Sequence, residues 1–152
     1  MKKATSHNGF TLIELIIVMV ILGILAAVAV PRYLDSISNA EASAEDAVIS
    51  AIRSGLKQAA NDSLYTNGRA TWPSDPFTAL SEKPAGHNWN GEEADTDGEW
   101  SYVRRNARNG QITHQRADNS RYSWDYYAGV QSGDNSETGT LGQRTVITVI
   151  AD

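Results

Sequence analysis

Cysteine is missing from all 152 residues of the sequence. Its absence removes disulfide closure, thiol nucleophiles and thiolate metal sites together, and leaves the redox compartment undetermined. Histidine is scarce: only His7, His87 and His114 occur, and none has the spacing of a helical zinc pair. A metalloenzyme is not expected, and no nucleophile–base pair marks another catalytic centre. Long runs of like charge are also lacking. The formal charge is −5, with no basic tail to offer nucleic acid. Charged residues make up 20% and hydrophobic residues 41%. That balance fits one folded domain with one special segment, and excludes a disordered or polytopic chain.

The special segment lies at the N-terminus. From Leu15 to Pro31 seventeen residues carry no charge, and Phe10 to Ile13 add four more before Glu14. About 20 residues cross a bilayer core as a helix. Lys2 and Lys3 precede the run and Arg32 follows it, an asymmetry that favours a cytoplasmic N-terminus. Glu14 is costly there, at roughly 2.5 to 3.5 kcal/mol for an acid at the centre of a membrane helix. A secretory signal peptide would be cut after Ala27-Val28-Ala29 and release a secreted binding module beginning near Val30. An uncut signal anchor is a second reading. Neither accounts for Glu14.

Gly9-Phe10-Thr11-Leu12-Ile13-Glu14, followed by Pro31-Arg32-Tyr33-Leu34, resembles the N-terminus of type IV prepilins and pseudopilins over residues 2–34. The resemblance implies cleavage between Gly9 and Phe10 by a membrane-embedded prepilin peptidase, with N-methylation of Phe10. It also implies pairing of Glu14 with the Phe10 amine of an adjacent subunit during filament assembly. The mature chain would have 143 residues and, without Lys2 and Lys3, a formal charge of −7. The chemistry is coherent. Gly9 lets a protease approach the backbone closely. Cleavage places a cation on Phe10, four residues before Glu14, and such charges attract far more strongly in low dielectric than in water. The residues alone leave open whether the partner lies in the same chain. Thr11-Leu12-Ile13-Glu14 is also a capping box, which with the helix dipole would hold Glu14 in place by about 1 to 2 kcal/mol.

Beyond Pro31 the pattern becomes amphipathic. Leu34, Ile37, Ala40, Ala44, Ala47, Val48, Ala51, Ile52, Leu56 and Ala59 recur at helical spacing, and Asn61-Asp62-Ser63 reads as a stop. A helix over residues 10–60 would be roughly 77 Å long. Gly23 and Pro31 interrupt it: proline removes an amide and kinks a helix, and glycine weakens its turn by up to about 1 kcal/mol. The resemblance makes the stretch between them the part that loses helicity in filaments.

Residues 63–98 are rich in Gly, Pro, Asn, Asp and Ser, with turns at 72–76 and 83–86 and a short helix around 77–82. Strands are predicted at 99–105, 111–116, 121–128 and 144–151, with turns at Asn109-Gly110 and Asp118-Asn119. Alternation puts Trp100 with Tyr102, Ile112 with His114, and Tyr122 with Trp124 and Tyr126. Residues 146–150 read as a strand covered on both faces. Glu92, Glu93, Asp95, Asp97 and Glu99 form an acidic loop. Asp95 and Asp97, with Asp134 and Glu137 from a second loop, are candidate calcium ligands, though a solvated loop suits them better. Arg104, Arg105, Arg108, Arg116 and Arg121 read as exposed charges, or as partners for acidic patches on neighbouring subunits. DNA contact is the lesser reading, and His114 is simply a strand residue.

The expected fold is α+β and pilin-like, with a long helix packed by its second half on a four-stranded antiparallel sheet. Its parts are a leader (1–9), a transmembrane assembly helix (10–31), an amphipathic helix (32–62), a variable loop (63–98) and a sheet head (99–152). The implied function is structural: a type IV pilus subunit or, alternatively, a pseudopilin of type II secretion. The implied partners are copies of itself in a helical filament, the prepilin peptidase, an inner-membrane assembly platform and, before assembly, the membrane. The bacterial inner membrane and then a surface pilus or periplasmic pseudopilus are the implied locations. No cofactor is required, and the cysteine pair near the C-terminus of many pilins is absent.

Overall fold

A computed structural model describes residues 9–129 and 138–147. The chain divides into two units, Met1–Ser43 and Ala44–Asp152.

One helix, α1 (Leu12–Asn67), begins in the first unit and ends in the second. Thr11 is its N-cap, and the capping box is formed: the Glu14 carboxylate accepts from the Thr11 amide at 2.9 Å. The helix is continuous through Gly23 and Pro31. In the first unit every residue from 9 to 37 is exposed. In the second, the helix runs past Asn61-Asp62-Ser63, where a stop was expected, to Asn67. Those three residues are only modest helix breakers, at about half a kcal/mol each. The stop comes at Gly68, whose φ of 69° places it in the left-handed region and whose amide donates to the Leu64 carbonyl at 2.9 Å. Glycine adopts this cap without a Cβ penalty.

Among the described residues the sheet of the second unit has six strands: β1 (His87–Asn88), β2 (Trp100–Arg104), β3 (Asn109–Gln115), β4 (Arg121–Tyr127), β5 (Thr140–Leu141) and β6 (Thr145–Ile147). Their order is β1-β2-β3-β4-β5, with β6 also on β4. The four expected strands are β2, β3, β4 and β6, all antiparallel. The sheet gains β5, and a two-residue parallel pairing of β1 with β2. Val146 is 65% exposed, so β6 is not covered on both faces there. The rest of that expected strand lies outside the described residues.

Register explains the core. Trp100, His114 and Tyr122 form one cross-strand row, and Tyr102, Ile112 and Trp124 form the next. With Tyr126 they face Ile49, Ile52 and Leu56 of α1 and Phe77. Trp100 stacks on Trp124 at 5.6 Å, and Tyr102 meets Tyr126 edge-on at 6.2 Å. Each buried aromatic contributes roughly 4 to 6 kcal/mol as an upper estimate.

The buried stripe of α1 is Glu45, Ile49, Ile52, Leu56 and Ala60. This corrects the expected face, because Ala44, Ala47 and Ala51 are exposed. Alanines remove little apolar area from water, so the larger Ile and Leu side chains set the rotation of the helix. The Asn109-Gly110 turn is also corrected, since both residues belong to β3. The chain reverses one step earlier, where the Asn106 side-chain carbonyl accepts from the amides of Arg108 (2.9 Å) and Asn109 (2.8 Å). Gly110 serves another purpose: any Cβ there would overlap the Tyr102 ring. The turn at Asp118-Asn119 is where it was expected, with Asn119 at φ 62° and the Asp118 carboxylate accepting from the Ser120 amide. The short helix is a 3-10 turn over Pro76–Ala79, capped by Asp75.

The other face of the sheet carries a row of hydroxyls, Ser101, Thr113, Ser123 and Thr145, in register across four strands. The acidic loop before β2 is tied to it. Ser101 donates to the Glu92 carbonyl, the Ala94 amide donates to Thr113 Oγ1 at 2.9 Å, and Gln115 donates to the Asp95 carbonyl at 3.1 Å.

Candidate functional site

The first unit holds the processing and assembly candidates. Gly9 and Phe10 precede the helix and are exposed, Phe10 to 92%. Both Thr11 bonds, from its amide at 2.9 Å and its hydroxyl at 2.6 Å, fall on Glu14 Oε2. Oε1 accepts no hydrogen bond among the described residues. The capping box therefore rests on one oxygen of the carboxylate. α1 is long and apolar enough to cross a membrane.

In the second unit the loop carboxylates Glu92, Glu93, Asp95 and Asp97 are exposed, whereas Glu99 is buried. Glu99 Oε2 accepts from the amides of Asp95 (2.8 Å) and Thr96 (3.0 Å), and Oε1 accepts from the Asn88 side chain. Burial pushes its pKa up, but these bonds outweigh it and the carboxyl titrates below its ordinary value. It is the anchor of the loop. Asp95 and Asp97 are not brought together with a third acid or a histidine, since no such group of three exists among the described residues. Asp134 and Glu137 lie outside those residues. His87 sits edge-on between Phe77 and Trp89, each at 4.3 Å, with both ring nitrogens unbonded. Burial pulls its pKa down.

The five arginines separate. Arg104, Arg105 and Arg108 are exposed. Arg121 pairs with Glu93 at 2.8 Å. Arg116 is buried, with 3% of its side chain exposed, and this corrects its reading as a surface charge. Its partner is Glu45, which no sequence reading singled out. Arg116 Nε donates to Oε1 at 2.6 Å and Nη2 to Oε2 at 2.7 Å. His114 Nδ1 lies 2.9 Å from Oε1, and Arg144 Nη1 lies 3.0 Å from Oε2. The Arg116 guanidinium also lies 4.0 Å above the Tyr122 ring. Full burial would raise the Glu45 pKa. The bonds from Arg116, His114 and Arg144 outweigh it and hold the carboxyl down at about 2. The cluster joins α1 to the residues at the end of β3 and the start of β6.

The signal for Glu45 was present: it stands four residues before Ile49 and seven before Ile52, on the apolar face. The alanine-weighted stripe hid it.

Comparison with known proteins places the chain by its N-terminus. The prokaryotic N-terminal methylation motif matches residues 5–30. The type IV narrow pilus major component PilA5 of Thermus thermophilus is 56% identical over 47 residues, 31% of this chain and 40% of that protein. The type IV major pilin protein PilE of Neisseria gonorrhoeae is 44% identical over 75 residues, 49% of this chain and 41% of that protein. The type II secretion system core protein G of Pseudomonas aeruginosa is 37% identical over 90 residues, 55% of this chain and 59% of that protein. The chain thus spans about two-fifths of the length of these pilins. No solved structure matches.

Proposed function

We propose, for a chain that belongs to the type IV pilin and pseudopilin family, that it is the structural subunit of a type IV pilus. The observation that carries this is the exposed apolar stretch of α1, headed by the Gly9–Glu14 motif. So much uncovered apolar surface requires lipid or other helices around it. Cleavage between Gly9 and Phe10 by a prepilin peptidase, with methylation of the new amine, readies the subunit. It then waits in the bacterial inner membrane.

Assembly exchanges lipid for neighbouring helices, where close packing replaces contact with acyl chains. The Phe10 amine of one copy meets the Glu14 carboxylate in the next. A charge pair in so apolar a setting fixes the axial register, which is the best-attested use of such groups. Gly23 and Pro31 bound the stretch that unwinds on packing. The protein performs no chemistry; it is the substrate of its peptidase and the building block of its filament. A pseudopilus of type II secretion is the second reading, favoured by the relative core protein G, of whose length the match covers 59%.

Two measurements test this. Sequencing of the mature N-terminus is expected to give N-methylated Phe10, and a start near Val30 would overturn the proposal. Electron microscopy of sheared surface material is expected to show long fibres. Subunits processed at Phe10 but yielding fibres only inside the envelope would favour the pseudopilus.

A further inference from the structure

The β2–β3 hairpin carries opposite charges at its two ends. At the turn stand Arg104, Arg105 and Arg108, all exposed. Among the described residues none has a carboxylate at ion-pair distance. Their bonds go to neutral groups: Arg104 donates to Ser74 Oγ at 3.2 Å and Arg105 to Gln111 Oε1 at 2.8 Å. At the far end lies the acidic loop, where Arg121 matches Glu93. Glu92, Asp95 and Asp97 are exposed and have no cationic partner among the described residues. Glu92 is bonded at Ser101 and Asp95 at Gln115, which sets them roughly 10 and 20 Å along the strands from the turn. Both exceed the screening length of about 8 Å at physiological salt, so the two sets cannot satisfy each other within one copy.

Both ends are built to receive something. The turn is held by the Asn106 side chain, and it opens on a cleft of about 360 Å³ whose lining includes Arg105, Asn106, Asp125, Tyr126 and Tyr127. The Asp125 carboxylate there is already engaged by Gln111 at 3.2 Å. The acidic loop is held rigid by Glu99 and by its bonds to Ser101, Thr113 and Gln115. The backbone that carries its exposed carboxylates is therefore already ordered before contact.

We infer that the Arg104–Arg105–Arg108 turn of one copy docks the Glu92–Asp95–Asp97 loop of a second copy. The two patches differ, so the contact is heterologous. Contacts of that kind run head to tail, into rings or open helical arrays, rather than closing as symmetric pairs. The inference rests on the filament reading and adds to it a contact between heads. Electrostatic complementarity of this kind sets register and excludes wrong neighbours more than it supplies affinity. Affinity comes from the helices.

A charge swap in the full-length chain, assembled in cells, tests this contact. Arg105→Glu with Arg108→Glu should cut the yield of sheared filaments by roughly tenfold or more, as should Glu92→Lys with Asp95→Lys. All four changes in one chain should restore it. A turn reversal without effect, or a swap no better than its halves, overturns the contact. Crosslinking removes the risk of misfolded variants, because the chain has no cysteine of its own. Asp95→Cys and Arg108→Cys in one chain should give a ladder of disulfide-linked multimers in oxidised filaments. Monomer alone would overturn the contact. If the unaltered chain forms no filaments, the filament reading itself falls, which is a different result from intact filaments with indifferent heads.

Discussion

Glu45 and Arg116 meet as a fork, with the guanidinium bonded to both carboxylate oxygens at 2.6 and 2.7 Å, where almost no solvent reaches either side chain. His114 and Arg144 complete the shell. The head has no disulfide, and this carboxylate ties the helix to two strands that a covalent bridge would otherwise secure. Removing one partner of such a set strands a buried charge. Glu45→Ala should destabilise the head by about 3 to 5 kcal/mol, read as a lower urea midpoint at unchanged slope.

The same carboxylate makes the head sensitive to acid. Its pKa falls from 4.5 to about 2 on folding. A lowered folded value means that the contribution is complete above pH 4.5, declines as pH falls, and is gone below about pH 2. The loss should reach on the order of 3 kcal/mol. Chemical denaturation between pH 6 and pH 2 would record it, and Glu45→Gln should flatten the profile in that window.

Gly110→Ala should destabilise the head by about 1 to 3 kcal/mol, because the new methyl overlaps the Tyr102 ring and forces it to move. Thermal unfolding would register the loss, and Tyr102→Leu in the same chain should recover part of it.

Tyr126→Phe tests the link between β4 and the segment after α1. The phenol donates to the Pro73 carbonyl at 2.7 Å. Its removal should cost about 1 kcal/mol and leave the core aromatics in place, as near-ultraviolet circular dichroism would report.

Glu14→Ala should leave the chain processed and membrane-bound but poor at forming filaments. Thr11→Val is the control, because it deletes the hydroxyl bonded to Glu14 and keeps the carboxylate. If Thr11→Val lowered filament yield as far as Glu14→Ala, helix capping and not subunit pairing would explain the acid.

Local signals carried far in this sequence. The motif at Gly9 to Glu14, the N-cap at Thr11 and the aromatic alternation of β2 and β4 each depend on near neighbours, and each was legible. What escaped depends on distant ones. Gly110 looked like a turn residue because Asn-Gly usually is one; that it must make room for Tyr102 shows only once β2 and β3 are in register. Glu45 was not singled out, since its partners stand 69 to 99 residues later. The helix face was misplaced for a related reason, because counting alanines equally with isoleucines ignores how unequal their buried areas are.

Those separations bear on how the head is made. A ribosome adding about 5 to 20 residues per second delivers Glu45 seconds before Arg116 and later still before Arg144. Until then the carboxylate must stay hydrated, and the helix face that bears it cannot close. Contacts so distant in sequence also carry a large loop-closure cost and slow the search. The electrostatic knot is therefore a late event in the life of each new chain, and a subunit in which it has formed is one whose β6 has already been synthesised and has found its place.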